Sequence, residues 1–98
     1  MSEQEPMDDV IKVLILKDQT VIVTKVKEVA EYEIGQPDCV MIDPVRFDST
    51  KPLPESMSRY PGVALTQDTQ MAILSDNILT MVTPDNKLLS EYLVTISD

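Results

Sequence analysis

The sequence predicts a mainly β fold, a small and strongly bent antiparallel barrel of five strands followed by a short C-terminal helix. Short runs rich in β-branched residues alternate with polar or proline-containing turns, and the second run changes its apolar phase part-way. An apolar stretch with helical spacing follows Pro84. The chain of 98 residues is long enough for one domain with a modest core. Other small barrels of the SH3 or OB type fit the same pattern.

The first two strands form a predicted hairpin. Val10–Leu16 is too short for a helix and rich in β-branched side chains, and a polar turn separates it from a second run over residues 21–30. The first odd positions of the second run are apolar, but its later odd positions are Lys25 and Lys27. The apolar Val26 lies at an even position. We therefore predict a bent or bulged strand, which small barrels need.

The third strand and the segment after it are marked by prolines. Cys39–Phe47 is the third predicted strand, and Pro44 within it indicates an edge or a bulge because proline cannot donate to a ladder. Residues 48–61 contain three further prolines and are predicted to form a long loop. The strand pattern resumes over residues 62–65 and continues over residues 71–74, and Ile78–Val82 is the last predicted strand.

The C-terminal segment predicts a helix over residues 85–96. Thr83 or Asp85 can cap it, and Pro84 or Asn86 suits its first turn. Its apolar residues recur at helical spacing and are Leu88, Leu89, Tyr92, Leu93 and Ile96. Residues 1–9 are predicted to be a disordered acidic tail, and residues 10–98 a single domain.

Several function classes are disfavoured by composition. Histidine is absent and Cys39 is the single cysteine, so the chain lacks the usual general base, an internal disulfide and a cysteine cluster for zinc. With two glycines in all, it also lacks a glycine-rich phosphate loop. We therefore expect no enzymatic activity, no catalytic residue, no cofactor and no metal.

The charge and the apolar runs bear on partners and compartment. The net charge of −9 repels phosphate, so we expect no DNA binding and no sequence-blind nucleic-acid binding by the whole surface. The acidic start lacks the features of a signal peptide, and no apolar run reaches the roughly 20 residues that span a bilayer. We expect a cytoplasmic protein without membrane association.

Two motifs near the end of the chain resemble sequence motifs of a known protein family. Ile73-Leu74-Ser75-Asp76-Asn77-Ile78 keeps the Asp-Asn pair and the apolar flanks of the second motif of Sm and Lsm proteins. Leu79-Thr80-Met81-Val82-Thr83-Pro84 is similar to the end of the last strand of Hfq. By pattern, residues 10–83 resemble the Sm-like (SH3-type) fold, and the combination with a C-terminal helix resembles small Sm-like proteins of marine phages.

The resemblance implies a cyclic homo-oligomer in which the fourth strand of one subunit pairs with the fifth of the next. A ring of five to seven subunits is expected, and the bacterial host cytoplasm is its location if the chain is phage-encoded. The two late strands carry no charge, and open edges of that kind favour pairing with another chain. The predicted subunit interface consists of Met71, Ile73, Ile78, Thr80 and Val82.

The resemblance also implies binding of single-stranded RNA as a regulator or chaperone of transcripts. The residues predicted for it are Asp76, Asn77, Tyr32, Lys25 and Lys27. Each has an alternative interpretation: the Asp-Asn pair as a turn, the tyrosine as amphipathic surface, and the lysines as a solvated strand face. At the motif's Arg-Gly positions this chain has Leu74 and Ser75. The alternative function is therefore a structural or adaptor module that binds proteins and no RNA.

Overall fold

The computed structural model describes residues 10–29, 33–62 and 65–97. Within them, strands form one antiparallel sheet, and an α-helix follows the last strand. The strands are β1 (Val10–Leu16), β2 (Val21–Glu28), β3 (Cys39–Phe47), β4 (Met57–Arg59), β5 (Gln70–Ile73) and β6 (Ile78–Val82), and the helix is α1 (Asn86–Ser97). The predicted mainly β fold with antiparallel strands and a short C-terminal helix is confirmed.

The sheet is open between β5 and β6, the last two strands along the chain. The order is β4-β3-β2-β1-β6, and β5 also pairs with β3. β4 pairs with residues 45–47 of β3, and β5 pairs with residues 39–42, so the two short strands lie end to end along the edge opposite β2. In the described chain β5 and β6 do not pair with each other, which is compatible with a strongly bent sheet.

A bulge interrupts the pairing of β2 with β3. Val23 pairs with Val45 and Lys25 with Ile42, so one residue of β2, Thr24, faces two residues of β3. The two residues are Asp43 and Pro44, and Asp43 has a φ of 53° in the left-handed region. The buried Thr24 hydroxyl donates a hydrogen bond to the Ile42 carbonyl at 3.0 Å. The predicted irregularity is present, and its extra residue belongs to β3, where Pro44 needs no ladder partner for its nitrogen.

Two apolar clusters form the core, one on each face of the sheet. The helix-side cluster consists of Val13, Val23, Val45, Met57 and Tyr92. The inner cluster consists of Leu14, Leu16, Ile22 and Met41. Neighbouring residues of β1 and β2 alternate between the two clusters, as successive side chains of a strand point to opposite faces.

The change of apolar phase in the β2 sequence does not come from the predicted bend or bulge of that strand. Ile22 and Val26, at even positions, both pack with the inner cluster, so the strand does not exchange its inner face. On the odd face Val23 is buried in the helix-side cluster, Lys25 is half-buried and Lys27 is exposed. The apolar pattern therefore ends on that face because its burial decreases along the strand.

Helix α1 packs on the sheet through Tyr92. This side chain is fully buried, and Leu88 and Ile96 pack on the same cluster one turn to either side. The Tyr92 hydroxyl donates to the carbonyls of Asp43 at 2.9 Å and Ile42 at 3.3 Å, so it joins the helix to the bulge. Leu93, predicted to lie on the apolar face, is 42% exposed.

Both ends of α1 have polar partners. The Asp85 carboxylate accepts a hydrogen bond from the Leu88 amide at 2.8 Å, which makes it the N-terminal cap. At the other end Arg59 donates to the Ile96 carbonyl at 3.3 Å, and its guanidinium lies 3.6 Å from the Asp43 carboxylate. A cation at the C-terminal end of a helix is favourably placed with respect to the helix dipole.

Two segments differ from the sequence-based prediction. Residues 57–59, predicted as part of a loop, form β4 and pair with β3. In the segment predicted as strand 62–65, the Leu65 amide donates to the Gly62 carbonyl at 2.9 Å, and neither residue is part of a strand. Val63 and Ala64 lie outside the described residues, as does the predicted tail 1–9. None of the helices in the described ranges has the length and apolar character required to cross a bilayer.

We predict that Tyr92→Phe lowers the free energy of unfolding by about 1 kcal/mol, because two carbonyls at the bulge lose their hydroxyl donor. Tyr92→Ala is expected to cost about 3–5 kcal/mol, since a buried aromatic ring is removed as well. Urea titration followed by circular dichroism measures both. The control is Ser90→Ala on the exposed face of α1, which should not lower the midpoint because alanine is the better helix former. An unchanged midpoint in Tyr92→Phe would exclude a stabilising role for the hydroxyl.

Candidate functional site

The gap between β5 and β6, here called the seam, is the most conspicuous opening in the sheet. Among the described residues β5 pairs with β3 alone and β6 with β1 alone, so each strand has one free edge facing away from its partner. A 3-10 turn, Ser75–Asn77, connects the two strands and is called the corner. An edge strand presents unpaired backbone amides and carbonyls that can pair with another strand.

At the β6 side of the seam the inner face of the sheet is uncovered. Met81 pairs directly with Leu14, and residues directly opposite each other in an antiparallel pair lie on the same face. Leu14 is 0% exposed in the inner cluster, whereas Met81 is 51% exposed. The apolar row that begins in the core therefore continues to the edge of β6 and is open to solvent there.

The β5 side continues the inner face in the same way. Met71 pairs directly with Met41, which is 3% exposed, and both Met71 and Ile73 pack on the inner cluster. A cavity of about 590 Å³ opens beside them. Its apolar lining includes Leu16, Met41, Met71 and Ile73, and its polar lining includes Lys17, Asp18, Tyr60 and Asn77.

All five predicted interface residues lie on the strands that flank the seam. Met71 and Ile73 are half-buried on β5, and Ile78 is half-buried against the inner cluster at the start of β6. Thr80 and Val82 are exposed on β6. The structure therefore places the predicted set at the seam.

Two exposed apolar residues of β6, Leu79 and Met81, were missed in the sequence-based set. Ile78 pairs with Leu16 and Thr80 pairs with Ile15, so Leu79 is an extra residue that forms a bulge. Beyond this bulge the residues on the inner face are at odd rather than even positions. An alternating pattern counted from Ile78 therefore selects residues of the opposite face there. The apolar character of four of the five residues in this strand was the signal that could have included both residues.

The corner is tied to the loop between β2 and β3. The Asp38 carboxylate accepts hydrogen bonds from the Ser75 amide at 2.7 Å and from the Ser75 hydroxyl at 2.6 Å. These two bonds lower the pKa of Asp38 below its ordinary value, because they stabilise the ionised carboxylate. The corner is also held from the other side, where the Lys17 amide donates to the Asn77 carbonyl at 2.9 Å.

The predicted RNA-binding residues of the corner are exposed but face different cavities. Asp76 lines a cavity of about 320 Å³ between the corner and the β2–β3 loop. Asn77 lines the cavity at the seam, where Lys17 and Tyr60 also contribute. Tyr32, the aromatic residue predicted to stack on a base, lies outside the described residues.

The two predicted lysines do not lie at the corner. The Lys25 ammonium is 3.9 Å from the Asp43 carboxylate at the bulge. Lys25 pairs with Ile11, which packs on the helix-side cluster, so its side chain lies on the face opposite the inner cluster. Lys27 is exposed and pairs with Val40.

The titratable groups near the corner offer little nucleophilic or metal-binding chemistry. The Cys39 thiol is buried, and burial together with the nearby Asp38 and Glu28 carboxylates raises its pKa, which favours the unreactive thiol. Over the described part of the chain, no group of three or more histidine, cysteine, aspartate or glutamate side chains is arranged to hold a metal ion.

Comparison with known families places the chain in a group without an assigned role. Residues 9–97 match the family of unknown function DUF6561. The chain belongs to this family. No curated protein matches the chain. Because DUF6561 has no described function, the seam and the corner are the starting point for a functional proposal for this member.

We predict that Asp38→Asn loosens the corner, because an amide provides one acceptor where the carboxylate provides two and lacks its charge. Backbone amides of residues 33–36, 38 and 75–77 should exchange with deuterium faster than in the unmodified chain. The control is Asp48→Asn, which removes a carboxylate that accepts bonds from the Thr50 amide and hydroxyl in another loop. Equal exchange at the corner in both variants would contradict a specific role for Asp38.

The same contact gives a defined pH dependence. Since the pKa of Asp38 is lower in the folded chain than in the unfolded one, its stabilising effect is present above the ordinary aspartate pKa. The effect is lost as the pH falls through the lowered value. Exchange at residues 75–77, corrected for its intrinsic pH dependence, should therefore increase in strongly acidic solution. This acid-dependent step should be absent from Asp38→Asn.

Proposed function

We propose that this chain is a non-catalytic assembly module whose copies join head to tail. In each join the free edge of β6 in one copy pairs with the free edge of β5 in the next. The observation that carries the proposal is the half-exposed Met81 directly opposite the fully buried Leu14. A core row that ends in solvent at a free strand edge is completed when another strand is added there.

The two edges are complementary in their side chains. In the proposed join, a row formed by Leu14 and Met81 in one copy meets a row formed by Met71 and Met41 in the next. The inner faces of the two sheets then become continuous, and the exposed apolar surface of β6 is removed from water. The cavity beside β5 is open to receive apolar side chains of the added strand.

The edges also lack two of the features by which natural sheets prevent pairing, namely charged side chains and prolines. β5 has the sequence QMAI and β6 the sequence ILTMV, so neither contains a charged residue or a proline. Three exposed large apolar side chains, Leu79, Met81 and Val82, lie on β6 alone. Exposed edge strands of this kind aggregate unless they have a partner.

The geometry favours a closed ring over a simple dimer. The two edges belong to different strands, so the join is heterologous, and repeated heterologous joins generate rings when the rotation closes. Such a ring would present the corner and α1 once per subunit. With a charge of −9 on every copy, its surface suits a protein partner better than a polyphosphate, which supports the role of a scaffold or adaptor.

A second candidate function, binding of single-stranded RNA, has support from one arrangement. Asn77, Lys17 and Tyr60 line the same cavity at the seam. An amide, an ammonium group and an aromatic ring are the groups that read a base edge, contact a phosphate and stack on a base. If RNA binds, this rim of the seam is where we expect it.

The assembly proposal is tested by the mass of the particle in solution. Sedimentation equilibrium of the unmodified chain at micromolar concentration should give a multiple of 11.0 kDa. Met81→Lys should weaken self-association at least about tenfold, since a charge is placed at the apolar edge. The control Leu93→Lys changes the charge equally at an exposed position of α1 and should retain the assembly. An unmodified chain of 11.0 kDa would refute the proposal.

RNA binding is tested by titration with poly-U and poly-A over a range of salt concentrations. The RNA candidate predicts binding that weakens with salt and falls at least about tenfold in Asn77→Ala. Ser90→Ala, on the exposed face of α1, is the control. Absence of binding at low salt removes the RNA candidate and leaves the scaffold role.

A further inference from the structure

We infer that the joining of copies through the seam is sensitive to oxidation, with Met81 as the residue that is oxidised. This inference rests on the proposed assembly and adds a form of regulation to it. Its basis is that each of the two free edges carries a methionine on the inner face, Met81 on β6 and Met71 on β5.

The described methionines differ strongly in their access to solvent. Met41 and Met57 are buried in the inner and helix-side clusters, and Met71 is half-buried in the cavity beside β5. Met81 is 51% exposed in the single chain. A solvent-borne oxidant therefore reaches the Met81 sulfur first among these four, because thioether oxidation follows exposure.

The reaction requires a hydroperoxide. One oxygen atom is transferred from the peroxide to the Met81 sulfur, so that the O–O bond breaks and an S–O bond forms. The sulfur loses two electrons and becomes a sulfoxide, and the hydroperoxide is reduced to an alcohol, or to water in the case of hydrogen peroxide. The flexible apolar side chain is thereby converted into a polar one.

The position of Met81 makes this change consequential. In the proposed join its side chain lies in the row with Leu14 of its own chain and Met71 and Met41 of the next copy. None of these side chains has a hydrogen-bond donor for a sulfoxide oxygen. A sulfoxide oxygen buried within this apolar row therefore has no partner there, which opposes joining. In the free chain the same oxygen is hydrated.

The direction of the effect follows from this difference. The oxidised free chain keeps its own fold, because Met81 is already half in water there. The joined state alone loses stability. Assembled copies cover Met81, so oxidation acts on free chains and shifts the equilibrium towards them.

The experiment starts from the full chain diluted until it is dissociated and treated with hydrogen peroxide. Peptide mass spectrometry locates the added oxygen, and sedimentation of the reconcentrated sample measures assembly. We expect Met81 to be oxidised before Met41, Met57 and Met71, and the self-association constant to fall at least about tenfold. Reduction by a methionine sulfoxide reductase should restore it. Met81→Leu should assemble before and after treatment, whereas Met57→Leu should respond like the unmodified chain.

The outcomes separate this inference from the proposal on which it rests. An untreated chain that never assembles overturns both. An untreated chain that assembles, but still assembles after oxidation of Met81, overturns the redox inference and leaves the assembly proposal intact. The redox inference is also overturned if Met81→Leu loses assembly on treatment as readily as the unmodified chain, because another residue is then responsible.

Discussion

Backbone hydrogen bonding at the last two strands is the constraint on which the account of this molecule depends. Every strand of the described sheet has at least one neighbour, and β4, β5 and β6 each have one only. The corner turns the chain from β5 to β6 without joining these two strands. Within the described residues, the polar backbone groups along both free edges have no strand partner, and the apolar side chains beside them are half-buried or exposed. An added strand satisfies both requirements together.

The bulge opposite Thr24 determines where the other parts of the fold lie. At that point β3 exchanges β5 for β4 as its outer neighbour, and the carbonyls of Ile42 and Asp43 accept bonds from Tyr92. Arg59 connects the same aspartate to the end of α1. The bulge therefore holds α1 on one face of the sheet. The other face, which holds the inner cluster, extends to the free edges.

The local sequence pattern was sufficient to predict most of the strands. The bounds of β1, β3 and β6 agree with the runs read from the sequence, because each is a β-rich segment between turn residues. β4 could not be predicted in the same way. Its three residues, Met57–Arg59, carry no alternation of their own and become a strand because the end of β3 offers a free edge.

The candidate site shows the same division between local and long-range information. The sequence located the seam strands and the Asp-Asn corner, since both are short contiguous motifs. It did not give the Asp38–Ser75 contact, which joins residues 37 positions apart, or the exposure of Met81. That exposure depends on the bulge at Leu79, and a bulge is defined by the register of two strands together.

The most direct test is amide exchange along β6 at several protein concentrations, followed residue by residue with NMR. Amides that face β1 should be protected at all concentrations. The account predicts that the alternate amides, which point away from β1, are protected only where copies are concentrated enough to join, and exchange freely on dilution. Exchange of those outward amides at one fast rate over the whole concentration range would contradict the claim that another strand completes this edge.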